Sequence, residues 1–366
     1  MTRTGSPWPA LLGAAGLVLW AGCAPGPVEF TGLRDAPQEL SAFGLFEGEP
    51  ADHVPAEGVI PYDLTTPLFS DYTEKLRFVR VPAGQAATYH EEASFDFPVG
   101  TILAKTFAFP SDEHATGRRL LETRILAHLD SGWIGLPYVW NDEQTEATLK
   151  IAGGLLPAKW EDQWGSVREQ GYLVPNANQC KGCHEATASG VRPLGAKARY
   201  LNRDLTYAHG SENQLVHWGA AGVLGGAPKL DAAPRSPVWN DPATGSLYAR
   251  ARAYLEINCA HCHNPEGPAR TTGLDLSWSA DDPVDLGVYK FPVAAGRGSG
   301  DRLYGIVPGR PEESILMYRM LSLDPGVMMP ELGRRRVHSE GVDLLEEWIS
   351  AMPEPEKGRR HRDPAG

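Results

Sequence analysis

Between residues 43 and 159 the hydrophobic positions come in short runs separated by turn residues. Phe97-Pro98-Val99-Gly100 reads as a turn, and residues 101–109 follow as a strand-like run closed by Pro110. Residues 122–129, 132–140 and 147–151 are further runs, broken by Asp130-Ser131, Asn141-Asp142 and Gly153-Gly154. Segments at this spacing predict an antiparallel sheet or small barrel. Beyond residue 200 the period changes. Residues 213–221 predict a helix, and residues 246–258 predict another, with Leu247, Ala251, Tyr254 and Leu255 on one face. Residues 312–321 form a short helix after a long Gly-rich loop, 287–309. Residues 342–352 form the last helix, with Val342, Leu345, Trp348 and Ile349 on one face; Gly341 precedes it and Pro353 ends it. The fold class expected is α+β and multidomain.

At 366 residues the chain has room for about two domains. Its 22% charged and 42% hydrophobic residues are those of a globular protein. Forty glycines and 31 prolines call for many turns and loops. The expected organisation is a signal peptide at 1–22, a tether at 23–42 and a β-rich domain at 43–200. A Gly/Pro-rich connection at 201–245, a helical domain at 246–353 and a charged tail at 354–366 follow. The net charge of −12 argues against nucleic-acid binding, which needs a basic surface. The one basic cluster, Lys357, Arg359, Arg360 and Arg362, lies in the tail and reads as a solvated end.

The N-terminus carries Arg3 and then a nearly unbroken apolar run from residue 10 to 22. That run is too short to span a bilayer, which takes ~20 apolar residues, and it fits the core of a signal peptide. It ends in Leu19-Trp20-Ala21-Gly22-Cys23, which resembles a bacterial lipobox except that Trp20 stands where Leu is preferred. The expectation is a periplasmic protein whose membrane contact is through lipid on Cys23, with a soluble secreted form left open.

The other four cysteines form two copies of one pattern, Cys180-Lys181-Gly182-Cys183-His184 and Cys259-Ala260-His261-Cys262-His263. C-x-x-C-H is the attachment signature of c-type haem. Two thiols at this spacing add to the two vinyl groups of one haem, and the adjacent His ligates its iron. Two covalently bound haem c groups are therefore expected, with His184 and His263 as iron ligands. A four-thiolate zinc site from Cys180, Cys183, Cys259 and Cys262 is the first competing reading, and it leaves both histidines unexplained. A thioredoxin-like redox pair is the second, and it lacks the βαβ context such a pair needs. No cysteine remains for a structural disulfide.

The helix leading into the second motif and the aromatic-bearing last helix resemble the crossing helices of a class I cytochrome c domain. That family places a methionine opposite the proximal His, in a loop before the last helix. The resemblance implies Met329, beside Pro330, as sixth ligand, with Met328 the alternative. Met317 and Met320 are expected to be core, His261 to miss the iron of its own motif, and His338 to lie on the surface. The first haem has no methionine between Met1 and Met317. Its expected state is five-coordinate or His-ligated, with His209 or His217 as local candidates. His90, His114 and His128 lie in or beside the β-rich segments.

Longer phrases resemble a family of bacterial di-haem c-type cytochromes, mostly uncharacterised lipoproteins. They are Pro61-Tyr62-Asp63 with 66–72, Phe97-Pro98-Val99-Gly100-Thr101, and 176–184. Leu201-Asn202-Arg203-Asp204, 250–255 and Met329-Pro330-Glu331-Leu332-Gly333 complete the set. Pro98, Gly100, Thr101, Leu103 and Lys105 more loosely resemble the strand of the cytochrome P460 type, which implies an open distal face against the sheet. The function expected is electron transfer to and from a redox partner protein. An enzyme acting on peroxide or a small nitrogen compound at the first haem is the alternative, and gas binding without turnover is the third reading. No other catalytic signature is present. The acidic surface would steer toward a partner with a basic patch.

Overall fold

The computed structural model describes residues 28–111, 113–114, 116–161, 167–186 and 190–354. The expected signal peptide, Cys23 and the basic cluster at 357–362 lie outside the described residues.

Six strands form one antiparallel sheet: β1 (Val59–Tyr62), β2 (Glu74–Arg80), β3 (Ile102–Pro110), β4 (Arg118–Leu129), β5 (Gly132–Trp140) and β6 (Ala147–Leu149). They lie side by side in chain order, so every connection joins neighbours. The protein is thus α+β, with a β-rich N-terminal half and a more helical C-terminal region. The expected runs at 101–109, 122–129, 132–140 and 147–151 all fall on these strands, whereas β1 and β2 were not anticipated. Because β2 carries charges at Glu74, Lys75, Arg77 and Arg80, it does not read as half-buried.

Side chains alternate between the two faces of such a sheet. One face carries Phe78, Ala104, Ile125 and Leu136 into a core closed by Phe30, Ala36, Leu40 and Phe43. The expected tether at 23–42 is corrected here. From Phe30 onward it is folded against the sheet, and Phe43 meets both Phe30 and Tyr138 edge to face.

The opposite face carries Val79, Leu103, Leu126 and Trp133. It is covered at that end by Phe97, Tyr200, Leu215 and Trp218. The stretch at 201–245, expected as a connection, is therefore part of the packing of this face. The strands β7 (Gly154–Glu161) and β8 (Val167–Val174) pair as a hairpin over the other end, where Trp160 and Tyr172 pack on Phe107 and Phe109. Helix α1 (Ala177–His184) follows that hairpin, and α2 (Ala198–Leu201) and α3 (Gln214–Ala220) come next.

The C-terminal region holds α4 (Leu247–Asn258), α5 (Ile315–Leu321) and α6 (Ser339–Ser350). Ala251, Tyr254 and Leu255 of α4 share a core with Val342, Leu345, Trp348 and Ile349 of α6. Met317 and Met320 are buried in the same core, as expected. The helices approach closely at Gly341, where an added Cβ would lie 2.3 Å from the Tyr254 hydroxyl. No helix among the described residues is long and apolar enough to cross a membrane.

The two regions are joined. Asp71 Oδ1 accepts the main-chain N–H groups of Arg335 and Arg336 at 2.7 and 2.8 Å, and Phe69 N donates to Asn258 Oδ1 at 2.9 Å. His338, expected at the surface, is instead largely buried in this seam. It stacks on Phe69 at 4.1 Å and accompanies Tyr72, Trp239 and Tyr254. Burial lowers its pKa from 6.5 to about 4. Below pH 6.5 the unfolded chain takes up a proton that the folded chain refuses, so stability falls as the pH drops from about 6.5 to about 4. The contribution is roughly 3 kcal/mol for this residue. His338→Phe keeps the stack, and it should remove that part of the pH slope in thermal unfolding; His53, also lowered to about 4 by burial, will retain its own part.

Candidate functional site

The first motif occupies the C-terminal turns of α1. The helix starts there because the Asn176 side chain accepts Gln179 N at 2.8 Å while Gln179 Oε1 accepts Asn176 N at 2.9 Å, a reciprocal cap. Cys180 lies against β5 at Gly135, where an added Cβ would sit 3.1 Å from Cys180 Cβ and 3.2 Å from its sulfur. Gly135 thus lets the helix sit close on the sheet. His184 Nδ1 lies 2.8 Å from the Arg192 carbonyl oxygen. A carbonyl only accepts, so Nδ1 carries the proton. Burial, with the nearby charge of Lys105, lowers the His184 pKa to about 4. The ring is therefore neutral, and Nε2 keeps a free lone pair.

The second motif follows α4, whose N-terminus is capped by Ser246 Oγ accepting Ala249 N at 3.2 Å. The chain then turns, with Cys262 N and His263 N both donating to the Cys259 carbonyl. His263 Nδ1 lies 3.2 Å from Thr272 Oγ1, and that hydroxyl spends its proton on the Ala269 carbonyl at 2.8 Å. His263 Nδ1 is therefore the donor, and its Nε2 is free as well. Burial lowers its pKa to about 4. Burial also pushes the Cys259 thiol up to about 12, so it stays protonated. An acceptor bonded to Nδ1 is how proteins orient a ligating imidazole.

The two motifs, 79 residues apart in sequence, meet in space. The Cys262 thiol donates to the Gly182 carbonyl at 3.5 Å. The ligand atoms of Cys183, His261 and Cys262 all lie within 4.8 Å of one another. His261 therefore lies between one cysteine of its own motif, Cys262, and one of the other, Cys183. These three groups could hold a divalent cation. The four-thiolate alternative is corrected, because Cys180 is against β5 and Cys259 packs on the helical core, so the four sulfurs form no common cluster.

The methionine loop lies beside both motifs. Leu332 Cδ1 would be 3.2 Å from a Cβ on Gly182. The main chain of Met329 is clamped, its N–H donating to Arg319 O at 3.0 Å and its carbonyl accepting Arg334 Nε at 3.1 Å. Met328 is buried. His209 and His217 are brought together elsewhere, on Glu212 at 3.3 and 2.9 Å, and both stack with Tyr207. His128 donates from Nδ1 to the Phe97 carbonyl at 2.9 Å and stacks on Trp133 at 4.4 Å. His90 pairs with Asp96.

One part of the site was not anticipated. Arg77, Lys105 and Arg124 are direct register partners across β2, β3 and β4, and they stand on the sheet face that receives α1. Lys75 is one step along the same face. Arg77 pairs with Asp63 at 2.5 Å, and Arg124 pairs with Glu122, which also accepts Tyr172 OH at 2.6 Å. Burial and the two arginines lower the Lys105 pKa to about 7. A partial signal existed, since Lys105 and Arg124 share the phase of Leu103 and Leu126 in the expected runs 101–109 and 122–129; Lys75 and Arg77 lie on a strand the hydropathy pattern does not show.

The residues present fit covalently held haem in two respects. Each motif offers two unbridged thiols and one neutral His with a free Nε2. The chain matches no family model, no curated protein and no solved structure.

Proposed function

We propose that the protein is an exported c-type cytochrome that carries two covalent haem c groups and passes electrons between redox partner proteins. The observation that carries this reading is the meeting of the two motifs at Cys183 and Cys262. Groups attached to neighbouring sulfurs start close together, which suits electron exchange within one chain. In this reading Cys180, Cys183, Cys259 and Cys262 anchor the haems, and His184 and His263 ligate iron through Nε2. Met329, or Met328 in its place, is the sixth ligand of the second haem. Bound haem supplies a one-electron iron couple whose potential depends on axial ligation and burial. The chain's own part is to orient the imidazoles, through Arg192 O and Thr272 Oγ1, and to hold the two motifs in register.

The crossing of α4 and α6 at Gly341 supports a class I cytochrome c domain for the helical region. The sheet beneath α1 supports a P460-like haem domain. The signal at 1–22 and Cys23 support a periplasmic lipoprotein. The net charge of −12 favours a partner with a basic patch and disfavours nucleic acid. The test mixes reduced holoprotein with an oxidised small cytochrome c under stopped flow. Rapid reoxidation of both haems, without steady turnover of peroxide or hydroxylamine, is the expected result. Steady turnover with slow exchange would overturn the carrier reading.

A second reading, catalysis at the first haem, is favoured by the charged sheet face beside His184. It requires an open iron. Ferrous protein should then bind carbon monoxide at one haem per chain, the second being protected by methionine. Two low-spin haems that take up none would exclude the open site and direct attention to His209 or His217.

A further inference from the structure

We propose that Arg77, Lys105 and Arg124 form a site for a small carboxylate or oxyanion beside the first motif. The inference rests on the haem reading above for what lies next to the site, and on the sheet itself for the charge.

Three basic side chains, two arginines and a lysine whose pKa is lowered to about 7 by burial and by those arginines, stand directly opposite one another on adjacent antiparallel strands, Arg77 to Lys105 and Lys105 to Arg124. Like charges placed this way destabilise a sheet. Two carboxylates serve four basic groups here. Asp63 is shared between Arg77 and Arg203, and Glu122 gives Oε1 to Arg124 and Tyr172 while its Oε2 is buried without a hydrogen-bond partner. The Lys105 ammonium, in the middle of the row, makes no hydrogen bond or ion pair among the described residues. Its Nζ lies over the Phe107 ring, 5.0 Å from the ring centre. Arg124 Nε is buried without a hydrogen-bond partner. A donor set that is cationic, enclosed and unspent is the complement of an anion.

The row also has a place. Two residues further along the same face run Val79, Leu103, Leu126 and Gly135, and Cys180 packs on Gly135. In the other direction lie Phe107 and the hairpin that covers it. The charged groups thus continue into the next row, where Lys75 and Glu122 flank Phe107, and stop at the apolar row on which Cys180 packs; Lys105 is close enough to the first motif to help hold the His184 pKa down. The anion has two sources: the propionate of the haem held by the first motif, or a free oxyanion approaching that haem.

The experiment uses holoprotein and compares wild type with Lys105→Gln and Lys105→Arg. Two readouts are taken, an optical titration of ferric protein with nitrite and the midpoint potential of the first haem as a function of pH. Loss of one partly buried cation should weaken nitrite binding about tenfold, with carbon monoxide affinity unchanged and Lys105→Arg restoring it; that result assigns a free oxyanion. Unchanged nitrite binding with a lowered first-haem potential in Lys105→Gln, restored by Lys105→Arg, assigns a propionate. If neither readout moves, the site is refuted. Arg124→Gln repeats the measurement should Lys105→Gln fail to fold. Failure of the haem reading is seen separately, as an absence of haem in the purified protein.

Discussion

Mass spectrometry of the mature chain will show two haem additions, each held through two thioether bonds. The geometry makes this an all-or-none result for each motif. Cys180 and Cys183 share one face of α1, and Cys259 and Cys262 share one turn after α4. Changing Cys259 and Cys262 to Ala should leave one haem on the first motif, read as half the haem absorbance per chain. The first motif should survive that change, because α1 is held independently by the Asn176–Gln179 cap and by packing on Gly135. A single addition in the wild type would refute the reading. So would a divalent cation on Cys183, His261 and Cys262 in place of haem, which elemental analysis detects.

Met329→Ala should convert the second haem from low spin to a high-spin or water-ligated form and lower its potential. A thioether ligand favours ferrous iron, so its loss favours ferric. The effect should be local, because the Met329 main chain is fixed by Arg319 and Arg334 whatever side chain it carries. Met328→Ala should instead act mainly through packing, since Met328 is buried; a large-to-small change of that kind costs about 2–5 kcal/mol. If the sulfur-to-iron charge-transfer band persists in Met329→Ala and vanishes in Met328→Ala, the two roles are exchanged.

The ligand types were legible in the chain because covalent haem attachment depends on local spacing. Two thiols, two intervening residues and a His make the motif wherever the chain goes, and both motifs can be read at 180–184 and 259–263. The strand at 132–140 and the helix at 246–258 were equally legible, because each shows its own period and its own boundary residues: Asn141-Asp142 after the strand, Ser246 before the helix. Other features depended on what each segment packs against. Residues 28–42 look like a linker, yet Phe30 and Leu40 close one face of the sheet. His338 looks like a loop residue, yet Phe69 and Tyr72, more than 260 positions away, enclose it. Strand β2 hides behind its charges, because hydropathy treats Lys75 and Arg77 as solvent-facing whichever side of the pleat they occupy. Only the pairing of β2, β3 and β4 puts Arg77, Lys105 and Arg124 in one row. The contact between Cys183 and Cys262 is of the same kind. Residue type and spacing specify what each motif can bind. Which motif faces the other is set by Gly135, Asp71 and Asn258, whose partners lie far away in sequence and meet only when the two cores close on each other.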